Sequence, residues 1–148
     1  MMVVLAANRA YGPAYRLQQY GPEWLAGLAD MVSAVRATGS RVMVIGPVPR
    51  MPNDVPECLA VHLDAVTLCQ PPLAEAVDAA GVAAERAVVE AAGGSYLDVT
   101  PAFCDEVTCA AVVGNVLVFS DQNHLTTEFA GWLSALISAA VDDAMRRP

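Results

Sequence analysis

Apolar positions in this chain fall into short β-branched runs and helical stripes that follow one another from the first residues. Residues 3–7 (Val-Val-Leu-Ala-Ala) form an apolar run that reads as a strand starting at the beginning of the chain. Residues 8–20 carry Gly12 and Pro13 and read as a loop. Pro22 and Glu23 then open a helix, since proline suits the first helical position and an acid suits the positive end of the helix dipole. Leu25, Leu28, Val32 and Val35 recur along it at helical spacing, and Gly39 is its natural stop. Residues 41–46 (Arg-Val-Met-Val-Ile-Gly) are a buried strand ended by Pro47 and Pro49.

Residues 48–72 are proline-rich and irregular, with room for a short helix over 58–67. An alanine-rich helix is expected over 73–92, with Gly81 as its weak point and Gly93 and Gly94 as its terminator. Residues 95–99 form another strand, closed by Thr100 and Pro101. The run Val116, Leu117, Val118, Phe119 is a strand or extended segment. A closing helix over 127–145 shows an apolar face of Phe129, Leu133, Leu136, Ile137, Ala140 and Val141, with Thr126 placed to cap it. This rhythm predicts an α/β layer fold with parallel strands, whose sites gather at the carboxyl ends of the strands. Asn8, the loops after Ile45 and Val99, and the loop holding Asp121 and His124 belong to that end.

At 148 residues the chain is long enough for one core and too short for two ordinary domains. A hydrophobic fraction of 55% against 16% charged residues favours a compact body over disorder. The net charge of −8 and scattered arginines, Arg9, Arg16, Arg36, Arg41, Arg50 and Arg86 among them, argue against nucleic acid as a partner. Those arginines read as solvated surface. No segment has the roughly 18 to 20 apolar residues of a membrane span, and the apolar start has neither the length nor the basic flank of a signal peptide.

The four cysteines fall as two local pairs, Cys58 with Cys69 and Cys104 with Cys109. Short loops closed in this way suggest two disulfides and an oxidising compartment. Free buried thiols are an alternative. Zinc is a second, but the spacing between Cys58 and Cys69 is far too wide for a usual ligand pair.

The densest chemistry is in residues 120–126, Ser-Asp-Gln-Asn-His-Leu-Thr. Asp121 beside His124 can fix the imidazole tautomer that accepts a proton and can stabilise the imidazolium that forms. The plain alternative makes Asp121 a turn residue and His124 a surface side chain. Asn8 can donate to a developing oxyanion or simply end a strand. Ser33, Ser40, Ser95 and Ser120 are the available hydroxyls, and none stands in a Gly-Asp-Ser or Gly-x-Ser-x-Gly turn. His62, alone among apolar neighbours, reads as a satisfied or solvated side chain, and Trp24 and Trp132 as core or core-edge. No cofactor or metal is expected.

These features together resemble the extracytoplasmic SGNH-type (GDSL-like) domain fused to membrane acyltransferase family 3 proteins. The resemblance rests on the strand over 3–7, on Gly39-x-Arg41-Val42-x-Val44-Ile45-Gly46-x-Val48-Pro49, and on Tyr96-Leu97-Asp98-Val99-Thr100 followed by Phe103, Cys104 and Cys109. Its most specific block is Ser120-Asp121-x-x-His124-Leu125-Thr126, and it covers nearly all of the chain as a single partial domain over 1–148. It implies a three-layer α/β/α, flavodoxin-like fold and acyl-ester chemistry: a serine takes an acetyl group and passes it to a carbohydrate hydroxyl. Asp121 and His124 carry over as catalytic residues, and Asn8 only loosely as the oxyanion asparagine. The partners implied are an acyl donor and a carbohydrate acceptor on the cell-envelope side, with no membrane segment or signal peptide in the chain itself.

The departure from the family pattern is the Gly-Asp-Ser block, which in relatives lies upstream of the region matching Met1. The same comparison predicts an N-terminally truncated sheet, lacking two strands, with an unpaired apolar edge along 3–7. Three readings follow. One is a catalytic domain that keeps its Asp-His pair and is inactive alone. Another is a stand-alone module, without turnover, that binds glycan or a partner through the exposed edge or associates with a membrane acyltransferase region. The third is a small hydrolase with an unexpected serine.

Overall fold

A computed structural model describes residues 1–9 and 18–146. The expected loop with Gly12, Pro13 and Arg16 lies largely outside them, as does Arg147. The chain divides into two compact units, one built from Met1–Pro47, Ala79–Asp98 and Ala139–Pro148, the other from Val48–Asp78 and Val99–Ser138.

The first unit is built on a parallel sheet of β1 (Met2–Leu5), β2 (Arg41–Ile45) and β3 (Ser95–Leu97), in the order β1-β2-β3. Met2 lies opposite Arg41 and Leu5 opposite Val44, while Met43 faces Ser95 and Ile45 faces Leu97. Helix α1 (Pro22–Ala37) connects the first two strands, and α4 (Ala79–Ala91) precedes the third. Val42 and Val44, two residues apart and so on one face, pack against Val32 of α1 and Val89 of α4. Burying each valine contributes about 1.5–3 kcal/mol. Met43 points to the opposite face, is equally buried, and lines a cavity with Ala140 and Ala144 of the last helix, α5 (Thr127–Arg146). Arg41 ties this layer down by donating to the Ala144 carbonyl at 2.8 Å. Helices therefore cover both faces of β2, which is why that strand reads as an unbroken apolar run. This is the α/β architecture expected from the sequence. Among the described residues no strand pairs with the outer edge of β1, where Val4 is 42% exposed.

The second unit holds α2 (Val55–Val61), a 3₁₀ turn at Val66–Cys69, α3 (Leu73–Ala76), a second 3₁₀ turn at Thr100–Ala102, and an antiparallel hairpin of β4 (Val112–Val113) and β5 (Val116–Leu117). The disulfide Cys58–Cys69 joins α2 to the first 3₁₀ turn, and Cys104–Cys109 closes a six-residue loop. Both expected pairings are present. The core is aromatic: Phe103 stacks on Phe119 at 5.8 Å between ring centroids and tilts against Phe129 at 5.3 Å.

Several sequence expectations are corrected. Helix α2 starts at Val55 instead of residue 58, because the Asp54 carboxylate caps it by accepting from the Glu57 amide at 3.1 Å. The helix expected over 73–92 is two helices, interrupted at Val77, whose backbone is extended. Gly81 is not the break; it lies within α4 against the Tyr20 ring. The run 116–119 gives only a two-residue strand, and its partner is β4, outside the parallel sheet. Leu136 and Trp132 stand 40% and 53% exposed, so the buried stripe of α5 passes through Phe129, Leu133 and Ala144. Arg9 is no surface residue: it is buried and paired with Glu85.

Candidate active site

The loop between β5 and α5 is pinched at its base. Phe119 and Leu125 form an antiparallel bridge, the Ser120 amide donates to the His124 carbonyl at 2.8 Å, and the Thr126 amide donates to the Val118 carbonyl at 3.0 Å. The Thr126 hydroxyl accepts from the Phe129 amide at 3.2 Å, which caps α5 and fixes where the loop ends. Within this frame Asp121 organises the turn. Its Oδ1 accepts from the amides of Asn123 and His124, each at 2.8 Å, as short acidic side chains do in tight turns. Its Oδ2 accepts from His124 Nδ1 at 2.5 Å. Three donors on one carboxylate favour its charged form, with the Asn123 amide first, then the His124 amide and the imidazole, and they bring its pKa down to about 2.

Two further backbone bonds hold the loop from below. The Met51 amide donates to the Gln122 carbonyl at 2.8 Å and the Val55 amide to the Asp121 carbonyl at 3.4 Å. Met51 and Val55 are themselves buried, so the loop rests on a fixed floor. With Nδ1 committed to Asp121, Nε2 carries the lone pair of the neutral ring, and among the described residues no side chain is bonded to it. The His124 side chain is 74% exposed. The arrangement can take a proton from a hydroxyl brought to Nε2 and stabilise the resulting imidazolium through Asp121.

Of the residues singled out from sequence, Asp121 and His124 are brought together. Ser120 shares the loop, but its hydroxyl donates to the His124 carbonyl at 3.2 Å. Asn8, Ser33, Ser40 and Ser95 belong to the first unit: Asn8 at an exposed position after β1, Ser33 exposed on α1, Ser40 buried, and Ser95 half-buried in β3. His62 ends α2 through its backbone amide. Among the described residues no group of three or more His, Cys, Asp and Glu is placed to hold a metal, and no helix is long and apolar enough to cross a membrane.

Sequence reasoning missed a buried polar cluster in the first unit. Glu85 is fully buried and accepts from Arg9 Nε at 3.1 Å, Arg9 Nη2 at 3.0 Å, Trp24 Nε1 at 3.1 Å and the Tyr96 hydroxyl at 2.7 Å. Arg9 also donates to the carbonyls of Ala7 and Ile45, joining the carboxyl ends of β1 and β2. Burial first, then the Glu85 bond, pushes the Tyr96 phenol far up. A signal existed: Val82, Glu85 and Val89 lie on one stripe of α4, with a carboxylate between two buried valines. The floor donors, Met51 and Val55, act through backbone and left no such trace.

Residues 2–139 match the family described as SGNH domain (fused to AT3 domains). The chain belongs to this family. The structure is similar to the periplasmic domain of a lipopolysaccharide acetyltransferase of Salmonella ser. Paratyphi A, with a TM-score of 0.62 and 20% sequence identity. That similarity covers 95% of this SGNH chain and 56% of the other, so the chain spans little more than half of that domain. At this identity the likeness concerns the fold. No curated protein sequence matches the chain.

Proposed function

We propose that this SGNH chain supplies the proton-transfer half of an O-acetyl transfer site acting on cell-envelope carbohydrate outside the cytoplasm. The observation that carries this reading is the His124 ring, held by Asp121 through Nδ1 with Nε2 open. In the step proposed, Nε2 takes the proton of a serine hydroxyl as its oxygen bonds to the acyl carbonyl, then gives that proton to the donor's leaving group as the bond from the carbonyl to that group breaks. A carbohydrate hydroxyl then attacks the acyl-serine and gives its proton to Nε2, which passes it to the serine oxygen as the acyl–serine bond breaks. Ser120 is engaged elsewhere and the chain has no Gly-Asp-Ser turn, so the attacking serine is assigned to sequence outside these residues. The 148 residues alone are then catalytically silent. Two disulfides support an oxidising compartment. Asn8, exposed beyond β1, is retained as a candidate oxyanion donor.

The test compares the isolated chain with the same chain joined to a Gly-Asp-Ser-bearing segment, using acetyl-ester turnover and labelling by a fluorophosphonate. The isolated chain is expected to do neither. In the joined protein, His124→Ala is expected to lower turnover by about 10²- to 10⁴-fold. Turnover by the isolated chain that His124→Ala abolishes would overturn the silent assignment. Undiminished turnover in the joined variant would overturn the role of the pair.

A second reading rests on a specific observation, the outer edge of β1, unpaired among the described residues, with Val4 exposed. An edge of this kind presents unpaired backbone groups and apolar side chains to another strand. On this reading the chain is an interaction module, and a membrane acyltransferase region is one partner it would serve.

A further inference from the structure

The second unit contains a cavity of about 180 Å³ whose floor is shared with the Asp121–His124 loop. Met51 and Val55, whose amides hold the carbonyls of Gln122 and Asp121, also line this cavity. Its rim carries three polar side chains, Asn53, Gln70 and Glu75. Among the described residues none of the three side chains makes a hydrogen bond within the protein, although Asp54 next to them is committed to capping α2. Beside them Leu68 stands 66% exposed, and Pro52 and Pro72 present flat apolar surface. The disulfide Cys58–Cys69 contributes both of its residues to the lining and ties α2 to the turn that bears Leu68.

The composition of this cavity selects a ligand class. Two amides offer donors and acceptors, and one carboxylate offers only acceptors, so a ligand with several hydroxyls can satisfy all three. A pyranose ring also has an apolar C–H face that suits exposed leucine and proline. No lysine or arginine lines the cavity, and the chain carries a net charge of −8, so a phosphate or carboxylate ligand finds no counter-charge. The volume lies below the roughly 300–1,000 Å³ of sites for drug-sized molecules and suits one small ring. By contrast, a larger cavity of about 350 Å³ in the first unit has its buried polar groups, Arg9 and Glu85, already bonded to each other.

We infer that the cavity bounded by Asn53, Leu68, Gln70 and Glu75 is a subsite for one neutral sugar ring, seated beside the loop that carries His124. The assignment rests on the acetyl-transfer reading for its purpose and on the cavity's own chemistry for its ligand. It places the acceptor carbohydrate against the same backbone floor that fixes the Asp121 turn.

The test is ligand-observed NMR on the 148-residue chain with methyl glycosides of glucose, galactose and N-acetylglucosamine, and with galacturonate as the charged comparison. At least one neutral glycoside is expected to bind in the millimolar range, as weak single-ring contacts do, and galacturonate to bind less well. Gln70→Ala and Glu75→Ala are each expected to weaken binding about tenfold, equivalent to about 1.4 kcal/mol. Leu68→Ser, at a position 66% exposed, is expected to weaken it too. Absence of binding by every neutral glycoside, equal binding by the variants, or preference for galacturonate would each overturn the subsite. The two readings fail separately. If these losses occur while His124→Ala leaves acetyl transfer intact in the joined protein, the catalytic reading falls and the subsite stands. If His124 matters and the rim variants bind as well as the parent, only the subsite falls.

Discussion

Asp121 uses one carboxylate to shape a turn and to orient a ring. Its carboxyl ionises at 3.8 in its unperturbed state and at about 2 in the fold. The charged form is therefore the one the fold favours. The stability it contributes is complete above the unfolded value and is lost as pH falls through about 2. A carboxyl-carbon NMR titration is expected to show Asp121 with a midpoint near 2, and a midpoint at 3.8 would mean the turn is not formed in solution. Glu85 makes a different case, because its partner charge is buried with it. Glu85→Ala leaves the Arg9 guanidinium without its carboxylate and is expected to cost about 3–5 kcal/mol in urea denaturation. Replacing both Arg9 and Glu85 by leucine should cost clearly less, since no charge is then stranded. Equal losses in the single and double variants would show that the pair is not what stabilises this region.

At the level of elements, the start of α5 decides where the loop ends. Thr126 accepts from the Phe129 amide and donates to the Leu117 carbonyl at 2.6 Å, so it joins helix and hairpin. Thr126→Ala is expected to lower stability by about 1–2 kcal/mol, and Thr126→Ser to restore most of it, in thermal or urea unfolding. This cap was legible in the sequence, as were α1, the doubly buried β2 and both cysteine pairs. The break between α3 and α4 was not. Residues 73–92 are alanine-rich with Gly81 as the expected weak point, yet the interruption falls at Val77, where bonds from outside hold the short helix: the Ala76 carbonyl accepts from the Arg50 amide, and the Leu73 amide donates to the Val107 carbonyl. The β4–β5 hairpin has a signal of its own in the sequence, the pair Gly114-Asn115 between β-branched residues. Gly114 takes φ +59°, which a two-residue hairpin turn of this kind requires. Asp121 and His124 were legible because their bonds run between neighbours in sequence, whereas Arg9 and Glu85 meet across 76 residues.

For the molecule as a whole, charge and edge act against each other. A net charge of −8 keeps copies apart, while β1 offers an edge that is unpaired among the described residues and partly apolar. Sedimentation velocity is expected to show association that rises with concentration and salt, and Val4→Lys is expected to abolish it. Association that survives the lysine would place the contact elsewhere. The openness of His124 has a consequence of its own. An imidazole this wet works against the full dielectric of water, which weakens the attraction of its carboxylate. Whatever surface settles over the ring and sheds that water multiplies the attraction several-fold. On the proposed acetyl-transfer reading, reactivity at this ring is therefore tied to its being covered.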